Sequence, residues 1–243
     1  MNAARTFLLT LLVSLAGSAT TLRAAEYYTS PSGRAGAAGT LDDPLDFTTA
    51  ISSATSPAHA GDTLWVRGGI YKAPIPGFVF SISGNSSQPL IFRNYNNERA
   101  IIDGTFKAHG SFVYYWGLEF TDLSTPYLPI TMTRSAKEAL MLAGNYSFCS
   151  YYLESAASSK FINNIFHDSF GQIEYGVSSS NSLFYGNIVL NMGEQCSDTE
   201  RGVGLYAQNQ NGTRDIVDNI VVLDYLFSDF KTRLQKRFSR FRH

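Results

Sequence analysis

The sequence repeats one short motif, an asparagine followed by isoleucine and a second apolar residue, at three places. The copies are Asn164-Ile165-Phe166, Asn187-Ile188-Val189 and Asn219-Ile220-Val221, separated by 23 and 32 residues. A repeat this short cannot bury a pair of helices, but it suits a coil of three short strands whose apolar side chains stack on those of the next coil. The motif therefore predicts a solenoid of β-strands.

The spacing of the repeat predicts where coils and insertions fall. Gly117-Leu118-Glu119-Phe120 precedes Asn164 by 47 residues, which we interpret as two steps of about 23. The longer step, between Asn187 and Asn219, contains nine additional residues, and the polar segment 192–201 (MGEQCSDTER) predicts an inserted loop. Insertions on a solenoid commonly lie on its binding face, so this loop is the first place to expect a site.

Composition supports many short strands separated by tight turns. The chain has 17 Phe, 14 Tyr and 20 Gly, with 16% charged residues. Asparagine tolerates left-handed backbone and stacks into hydrogen-bonded ladders between parallel coils, which explains why it recurs at turns. A β-sandwich rich in asparagine turns is the alternative, and it explains the strands but not the recurring Asn-Ile.

The first 25 residues predict a secretory signal. Arg5 precedes an apolar run at 7–16, small residues follow at 17–19, and cleavage would fall after Ala19 or Ala25. We find no other stretch long enough to cross a bilayer, so we expect a secreted or periplasmic protein without a transmembrane segment. In that oxidising compartment Cys149 and Cys196 either form a disulfide or are small buried hydrophobes in neighbouring coils.

Residues 26–223 are predicted to form a single domain, an all-β, single-stranded parallel β-helix with an N-terminal capping helix. Asp43 is the expected N-cap of this helix, and proline follows at its first position. An apolar stripe continues to about residue 54 through Leu45, Phe47, Ala50 and Ile51. Such a helix would cover the open end of the stack.

Several segments resemble secreted right-handed parallel β-helix proteins of the pectin-lyase-like superfamily, including the chondroitinase-B-like group. They are 60–71 (AGDTLWVRGGIY), 101–104 (IIDG), 116–120 (WGLEF), 202–211 and 214–221. The resemblance covers residues 26–222 and is specific for fold but not for reaction. It implies a right-handed β-helix and an exported protein that acts on an acidic polysaccharide, by binding it and in an active member by cleaving it.

Residues 224–243 do not continue the strand pattern. They carry six Lys or Arg against two Asp, and their apolar residues fall at helical spacing. Three interpretations stay open: a cap that closes the stack, a helix for a membrane surface or nucleic acid, or a continuation after truncation or a frame shift. We favour the first and the last, and expect no nucleic-acid partner and a monomer.

Lyases of acidic polysaccharides neutralise a uronate carboxylate and remove the neighbouring ring proton, which requires a cation or calcium site and a base. Carboxylates from successive coils can form an oxygen-rich calcium site, because neighbouring strands lie about 4.8 Å apart.

Suitable groups concentrate between residues 166 and 211, although each could equally be a solvated turn residue. The catalytic candidates are His167, Glu174, Arg201 and Tyr206; the substrate-binding candidates are Tyr175, Gln208 and Asn209; the calcium candidates are Asp168, Glu194, Asp198 and Glu200.

Exposed aromatic rings are the other candidate contribution, since sugar rings stack on them. Tyr114-Tyr115-Trp116 and Tyr151-Tyr152 could serve, although strand alternation should bury at least half of these rings.

Motifs of polygalacturonases and the Arg-x-Pro-x-x-Arg segment of pectate lyases are absent from the sequence. Two hypotheses therefore remain: an exported lyase or hydrolase of an acidic glycan, or a non-catalytic β-helix for glycan binding or surface attachment, the latter including an inactive truncated relic.

Overall fold

The computed structural model describes residues 24–123, 151–169, 171–176, 178–192, 204–207 and 212–222. Within these ranges the chain forms short strands and one short helix, α1, at Phe47–Ile51. The first nine strands are β1 Glu26–Thr29, β2 Thr63–Val66, β3 Gly69–Lys72, β4 Phe78–Phe80, β5 Leu90–Asn94, β6 Ala100–Asp103, β7 Phe106–Ala108, β8 Val113–Trp116 and β9 Glu119–Thr121. The others are β10 Tyr151–Tyr152, β11 Lys160–Ile162, β12 Ile165–Ser169, β13 Ile173–Tyr175, β14 Ser182–Tyr185, β15 Ile188–Met192, β16 Leu205–Ala207, β17 Arg214–Val217 and β18 Ile220–Val222.

The strands form three parallel sheets, and the chain visits them in turn. Sheet 1 has the order β1-β2-β5-β8-β11-β14-β17, sheet 2 the order β3-β6-β9-β12-β15-β18, and sheet 3 the order β4-β7-β10-β13-β16. Each strand pairs with the strand three places later in the chain, apart from β1, which pairs with β2. This is a parallel β-helix with one strand per sheet in each coil, as the repeat predicted.

The core lies inside the coils and is dominated by stacked aromatic rings. Phe120 and Phe166, neighbours in sheet 2, have ring centroids 4.7 Å apart and planes within 7°. Tyr115 and Phe161 repeat this arrangement in sheet 1 at 4.8 Å. Because side chains alternate between the two faces of a strand, each of these rings is flanked by residues that point outward.

Asparagine forms a ladder where sheet 1 turns into sheet 2. The side-chain Oδ1 of Asn187 accepts hydrogen bonds from the backbone N (2.9 Å) and Nδ2 (3.0 Å) of Asn164. Asn219 Oδ1 accepts the equivalent bonds from Asn187 at 2.8 and 3.1 Å. Asn164 and Asn187 are fully buried, so the ladder satisfies backbone groups at a turn that water does not reach. The predicted asparagine ladder is confirmed.

The residue before each ladder asparagine has left-handed backbone, as does the residue before Leu118, which occupies the same position one coil earlier. This conformation explains the choice of residues at the turn. Gly117, Asn163, Gly186 and Asp218 have φ of 68°, 51°, 64° and 55°. These are residue types that tolerate this conformation. At Gly186 a Cβ would lie 2.3 Å from Asn163 Oδ1, so the previous coil also requires glycine there.

One prediction about the repeat is wrong. The interval from Gly117 to Asn164 does not contain two coils, because β9 pairs directly with β12 and places Glu119 beside Ile165. Leu118 and Asn164 are therefore equivalent positions of neighbouring coils although they are 46 positions apart in the sequence. The additional length falls between β9 and β10, at residues 124–150, which lie outside the described part of the chain.

The N-terminal helix differs in detail from the prediction. It is one short turn at Phe47–Ile51, and its N-cap is Asp46, whose Oδ1 accepts a hydrogen bond from Thr49 N at 2.9 Å. Asp43 instead binds Arg34 and the backbone N of Ala38. The ring of Phe47 packs 4.6 Å from that of Phe78. That this helix caps the stack stays a prediction.

Candidate functional site

A row of polar and aromatic side chains crosses the outer face of sheet 3. Lys107 in β7 is the register partner of Tyr152 in β10, which is the partner of Glu174 in β13. Glu174 in turn is the partner of Tyr206 in β16. Their chain neighbours Phe106, Tyr151 and Ile173 are buried in the core, so strand alternation turns this row outward.

The row contains a cation and a pair of carboxylates. Lys107 Nζ lies 5.4 Å from the centroid of the Tyr152 ring, within the range of a cation–π interaction. Glu154 follows Tyr152 by two residues and hydrogen-bonds Glu174. Burial, followed by that hydrogen bond and the charge of Glu174, raises the pKa of Glu154, and the charge of Lys107 opposes the shift. Two carboxylates in contact favour a shared proton or a bound cation.

Gln172 is a third side chain with an oxygen atom beside this pair. Its Nε2 donates to Glu174 Oε1 at 3.2 Å. Its Oε1 is buried and makes no hydrogen bond to any residue in the described ranges. The residue is 7% exposed, and a buried amide oxygen without a partner costs free energy.

Glycine makes room for Glu154. A Cβ on Gly176 would lie 2.7 Å from Glu154 Cγ, so the absence of a side chain at this position leaves space for the carboxylate beside Glu174. Calcium prefers six to eight oxygen ligands, among them carboxylates and amide carbonyls. Glu154, Glu174 and Gln172 match that preference in kind and supply part of the number. Across the ranges that the structure describes, no group of three or more His, Cys, Asp or Glu residues is arranged to hold a metal.

A second polar cluster lies on sheet 2. Glu119 forms a two-bond ion pair with Arg99, at 2.7 Å from Nε and 2.8 Å from Nη2. His167 Nε2 lies 2.9 Å from Glu119 Oε1, and His167 Nδ1 lies 2.7 Å from Asp168 Oδ2. The hydrogen bond from Arg99 is the main cause that lowers the pKa of Glu119; burial opposes it, and the bond from His167 adds to it.

The two contacts of His167 bear on its predicted catalytic role. An ionised carboxylate only accepts hydrogen bonds, so both ring nitrogens can bind Glu119 and Asp168 at once only when both carry protons. An imidazolium in this arrangement has no free lone pair with which to remove a proton. Both ring nitrogens of His167 therefore have a carboxylate neighbour, and its catalytic role stays a prediction.

The structure separates the predicted site residues into two groups. Glu174 and Tyr206 are register neighbours on sheet 3, whereas His167 and Asp168 lie on sheet 2. Tyr175 is fully buried and its hydroxyl lies 2.6 Å from Ser182 Oγ, so its ring belongs to the core and offers no surface to a substrate. The remaining candidates lie outside the described residues: Glu194, Asp198, Glu200, Arg201, Gln208 and Asn209. Cys149, Cys196 and residues 224–243 also lie outside them.

Sequence reasoning missed Lys107, Glu154, Gln172 and the Arg99–Glu119 pair. Lys107 stands in a buried-outward-buried triplet, Phe106–Ala108, and this alternation was visible in the sequence. The sequence did not show which residues lie beside Lys107 on the next coil, because the interval before β10 does not follow the repeat. Of the aromatic candidates, Tyr115 and Tyr151 are buried, while Tyr114, Trp116 and Tyr152 face outward, as alternation predicted.

These observations define a class: a parallel β-helix protein with charged and aromatic rows on its outer faces. A family model described as the Pel9A-like, right handed beta helix region matches residues 27–192. The chain belongs to this Pel9A-like β-helix family. The predicted right-handed β-helix and the resemblance to the pectin-lyase-like superfamily are thereby confirmed.

Individual relatives match parts of the chain. Pectate lyase PEL9 of Emericella nidulans is 43% identical over 81 residues, which are 33% of this chain and 19% of that protein. The crystal structure of pectate lyase Pel9A superimposes with a TM-score of 0.51 at 12% identity, over 84% of this chain and 56% of that one. A rhamnogalacturonan lyase structure gives a TM-score of 0.48 at 17% identity, over 81% and 50%. The chain thus spans a fifth to about half of the length of these proteins.

Proposed function

We propose that this chain is an exported protein that binds an acidic polysaccharide along the outer face of sheet 3 and cleaves it by β-elimination. The observation that carries the proposal is the row formed by Lys107, Tyr152, Glu174 and Tyr206 on successive coils. A polymer lying along the solenoid axis would meet one of these side chains about every 4.8 Å. Family membership and the similarity to pectate lyase PEL9 support a uronate-containing substrate.

Lys107 is the proposed base. In β-elimination a base removes the proton from the ring carbon next to the uronate carboxylate. The electron pair of that bond then forms a carbon–carbon double bond, and the bond to the departing glycosidic oxygen breaks. Lys107 Nζ would receive the proton, and water would protonate the departing oxygen.

Glu154, Glu174 and the Oε1 of Gln172 are the proposed calcium-binding oxygens. The contact between the two carboxylates, which raises the pKa of Glu154, would be relieved by a divalent cation. Bound calcium would neutralise the substrate carboxylate and so acidify the neighbouring ring proton. Tyr152 and Tyr206 would pack against the sugar rings and orient them.

Hydrolysis fits this arrangement less well than elimination. Glycosidases that use two carboxylates hold them about 5–9.5 Å apart, to flank the scissile bond or admit a water. Glu154 and Glu174 instead interact with each other, which contributes to the raised pKa of Glu154. Two carboxyl groups on adjacent coils that interact in this way do not match the separation that flanks a scissile bond.

The test is the ultraviolet absorbance of the unsaturated product. The purified protein is incubated with a panel of uronate-containing polysaccharides, with calcium and with a chelator. We expect product from at least one polymer, loss of product with chelator, and a decrease of at least about 100-fold for Glu174→Gln, typical of a group that holds a reacting centre. Glu26→Gln, an exposed glutamate on sheet 1, is the matched control. Absence of product from every polymer would contradict cleavage, and full activity of Glu174→Gln would contradict the site.

A further inference from the structure

The outer face of sheet 1 carries a row of large side chains that the proposed cleavage does not use. Register places one residue from each strand in this row. In spatial order they are Tyr28, Trp65, Arg93, Trp116, Ile162, Tyr185 and Val217. Four of the seven are aromatic and one is a cation. The row extends over the whole width of the sheet, on a different face of the solenoid from Lys107 and Glu174.

Arg93 is held between two indole rings. Its guanidinium carbon lies 5.1 Å from the ring centroid of Trp65 and 4.3 Å from that of Trp116, both within cation–π range. Its Nε is buried and has no hydrogen-bond partner among the described residues, and the same holds for the Nε1 of Trp65. In the described part of the chain Arg93 forms no ion pair, whereas nearby Arg67 binds Glu98 at 3.0 Å. The stacking fixes the guanidinium plane, and no carboxylate among the described residues compensates its charge.

A second cation of the same kind lies on this face. Lys160 Nζ is 4.4 Å from the ring centroid of Tyr114, its register partner in the neighbouring strand. Tyr114 pairs with Ile91, and Ile91 is two positions before Arg93 in β5, so both cations project from the same side of the sheet. No acidic side chain among the described residues forms an ion pair with Lys160 either.

We propose that the outer face of sheet 1 is a second binding surface for an acidic polysaccharide. This inference takes its substrate class from the proposed function but uses a separate set of residues. A guanidinium whose plane is fixed by stacking loses little freedom when its edge binds a carboxylate. The flanking aromatic side chains offer apolar edges to sugar rings. Strand spacing of about 4.8 Å repeats these contacts along the solenoid axis, as an extended polymer requires.

Charge favours a polyuronate over a nucleic acid on this face. Nucleic-acid affinity comes largely from many phosphate contacts with Lys and Arg. The chain as a whole has a formal net charge of −1. The face carries Arg93 and Lys160, which form no ion pair with the described residues, and the carboxylates Glu26 and Asp215 lie in its first and last strands. Two cations spaced along a row of aromatic side chains suit a polymer with one carboxylate per sugar better than one with a phosphate per nucleotide.

The test measures equilibrium binding of polygalacturonate at constant ionic strength. Four proteins are compared: the unaltered chain, Arg93→Gln, Lys160→Gln, and Lys107→Gln, which alters only the sheet 3 site. Lys160 does not lie between the two indoles, so Lys160→Gln tests the face even where Arg93→Gln unfolds the protein. Circular dichroism and the melting temperature establish the fold of each variant. Fully methyl-esterified pectin is the neutral control polymer.

We expect Arg93→Gln and Lys160→Gln each to weaken polygalacturonate binding several-fold, with little change for the esterified polymer and with unchanged cleavage of short oligosaccharides. Unaltered binding by both folded variants would overturn the inference, as would the absence of any binding by the unaltered protein. Single-stranded DNA is tested in the same way. Tighter binding of DNA than of polygalacturonate, weakened by the same two substitutions, would overturn the proposal that the ligand of this face is a polysaccharide. Undiminished binding by Lys107→Gln together with loss in Lys160→Gln would support this surface and count against the sheet 3 site.

Discussion

Asn164 and Asn187 stand one above the other in successive coils, and Asn164 Nδ2 donates to Asn187 Oδ1 across 3.0 Å in a fully buried turn. Each of these amides also donates to the backbone of the preceding coil: Asn164 to Tyr115 O and Asn187 to Phe161 O. The ladder therefore connects side chain to side chain along the axis and side chain to backbone across the turn. The Asn-Ile repeat in the sequence thus produces direct hydrogen bonds between neighbouring coils.

Replacing the central asparagine should destabilise the fold. Asn187→Ala leaves the backbone N of Asn164 and the carbonyl O of Phe161 without their partners in the interior. Each buried unsatisfied group costs about 1–3 kcal/mol, so we expect a loss of roughly 3 kcal/mol in the free energy of unfolding, measured by denaturant titration. Asn85→Ala, in an exposed turn, is the control and should cost less than about 1.5 kcal/mol. Equal losses in the two variants would contradict the structural role of the ladder.

The ion pair on sheet 2 should make stability fall at acid pH. Arg99 lowers the pKa of Glu119, so this carboxyl stabilises the fold above its unfolded pKa of about 4.3. That contribution is lost as pH falls through the lower pKa of the folded state. We expect the melting temperature of the unaltered protein to drop more steeply below pH of about 4.3 than that of Glu119→Gln. Parallel curves for the two proteins would show that Glu119 does not contribute. Glu26→Gln serves as the control.

The carboxylate pair on sheet 3 should have the opposite pH dependence. Burial and the bond to Glu174 raise the pKa of Glu154, so the folded state prefers the protonated form. The resulting destabilisation is absent below the unfolded pKa and fully present above the raised pKa of the folded state. Glu154→Gln should therefore stabilise the protein at neutral pH and have little effect at pH of about 4. Because Glu154 is partly exposed, the gain should not exceed about 1 kcal/mol. A loss of stability at neutral pH would contradict the contact.

The Asn-Ile recurrence and the resemblance to a known family together predicted the β-helix, and the recurring asparagine predicted the ladder, because Asn-Ile recurs at turns whose left-handed residues are adjacent in sequence. Alternation likewise predicts that Glu174 faces outward, and it could have placed Tyr175 in the core. The pairing of Glu119 with Ile165 could not be predicted, since an interval of 46 residues resembles two coils. The contact between Glu154 and Glu174 could not be predicted for the same reason. It joins two neighbouring coils and leaves no periodic signal in the sequence.

The most direct test of the central claim is the dissociation constant for a galacturonate oligosaccharide, measured by calorimetry with calcium present. Lys107→Gln is compared with Lys72→Gln, which removes an exposed lysine from sheet 2. We predict that Lys107→Gln weakens binding by about tenfold, equivalent to about 1.4 kcal/mol, and that Lys72→Gln leaves it unchanged. Equal dissociation constants for Lys107→Gln and the unaltered protein would contradict a substrate site on the outer face of sheet 3.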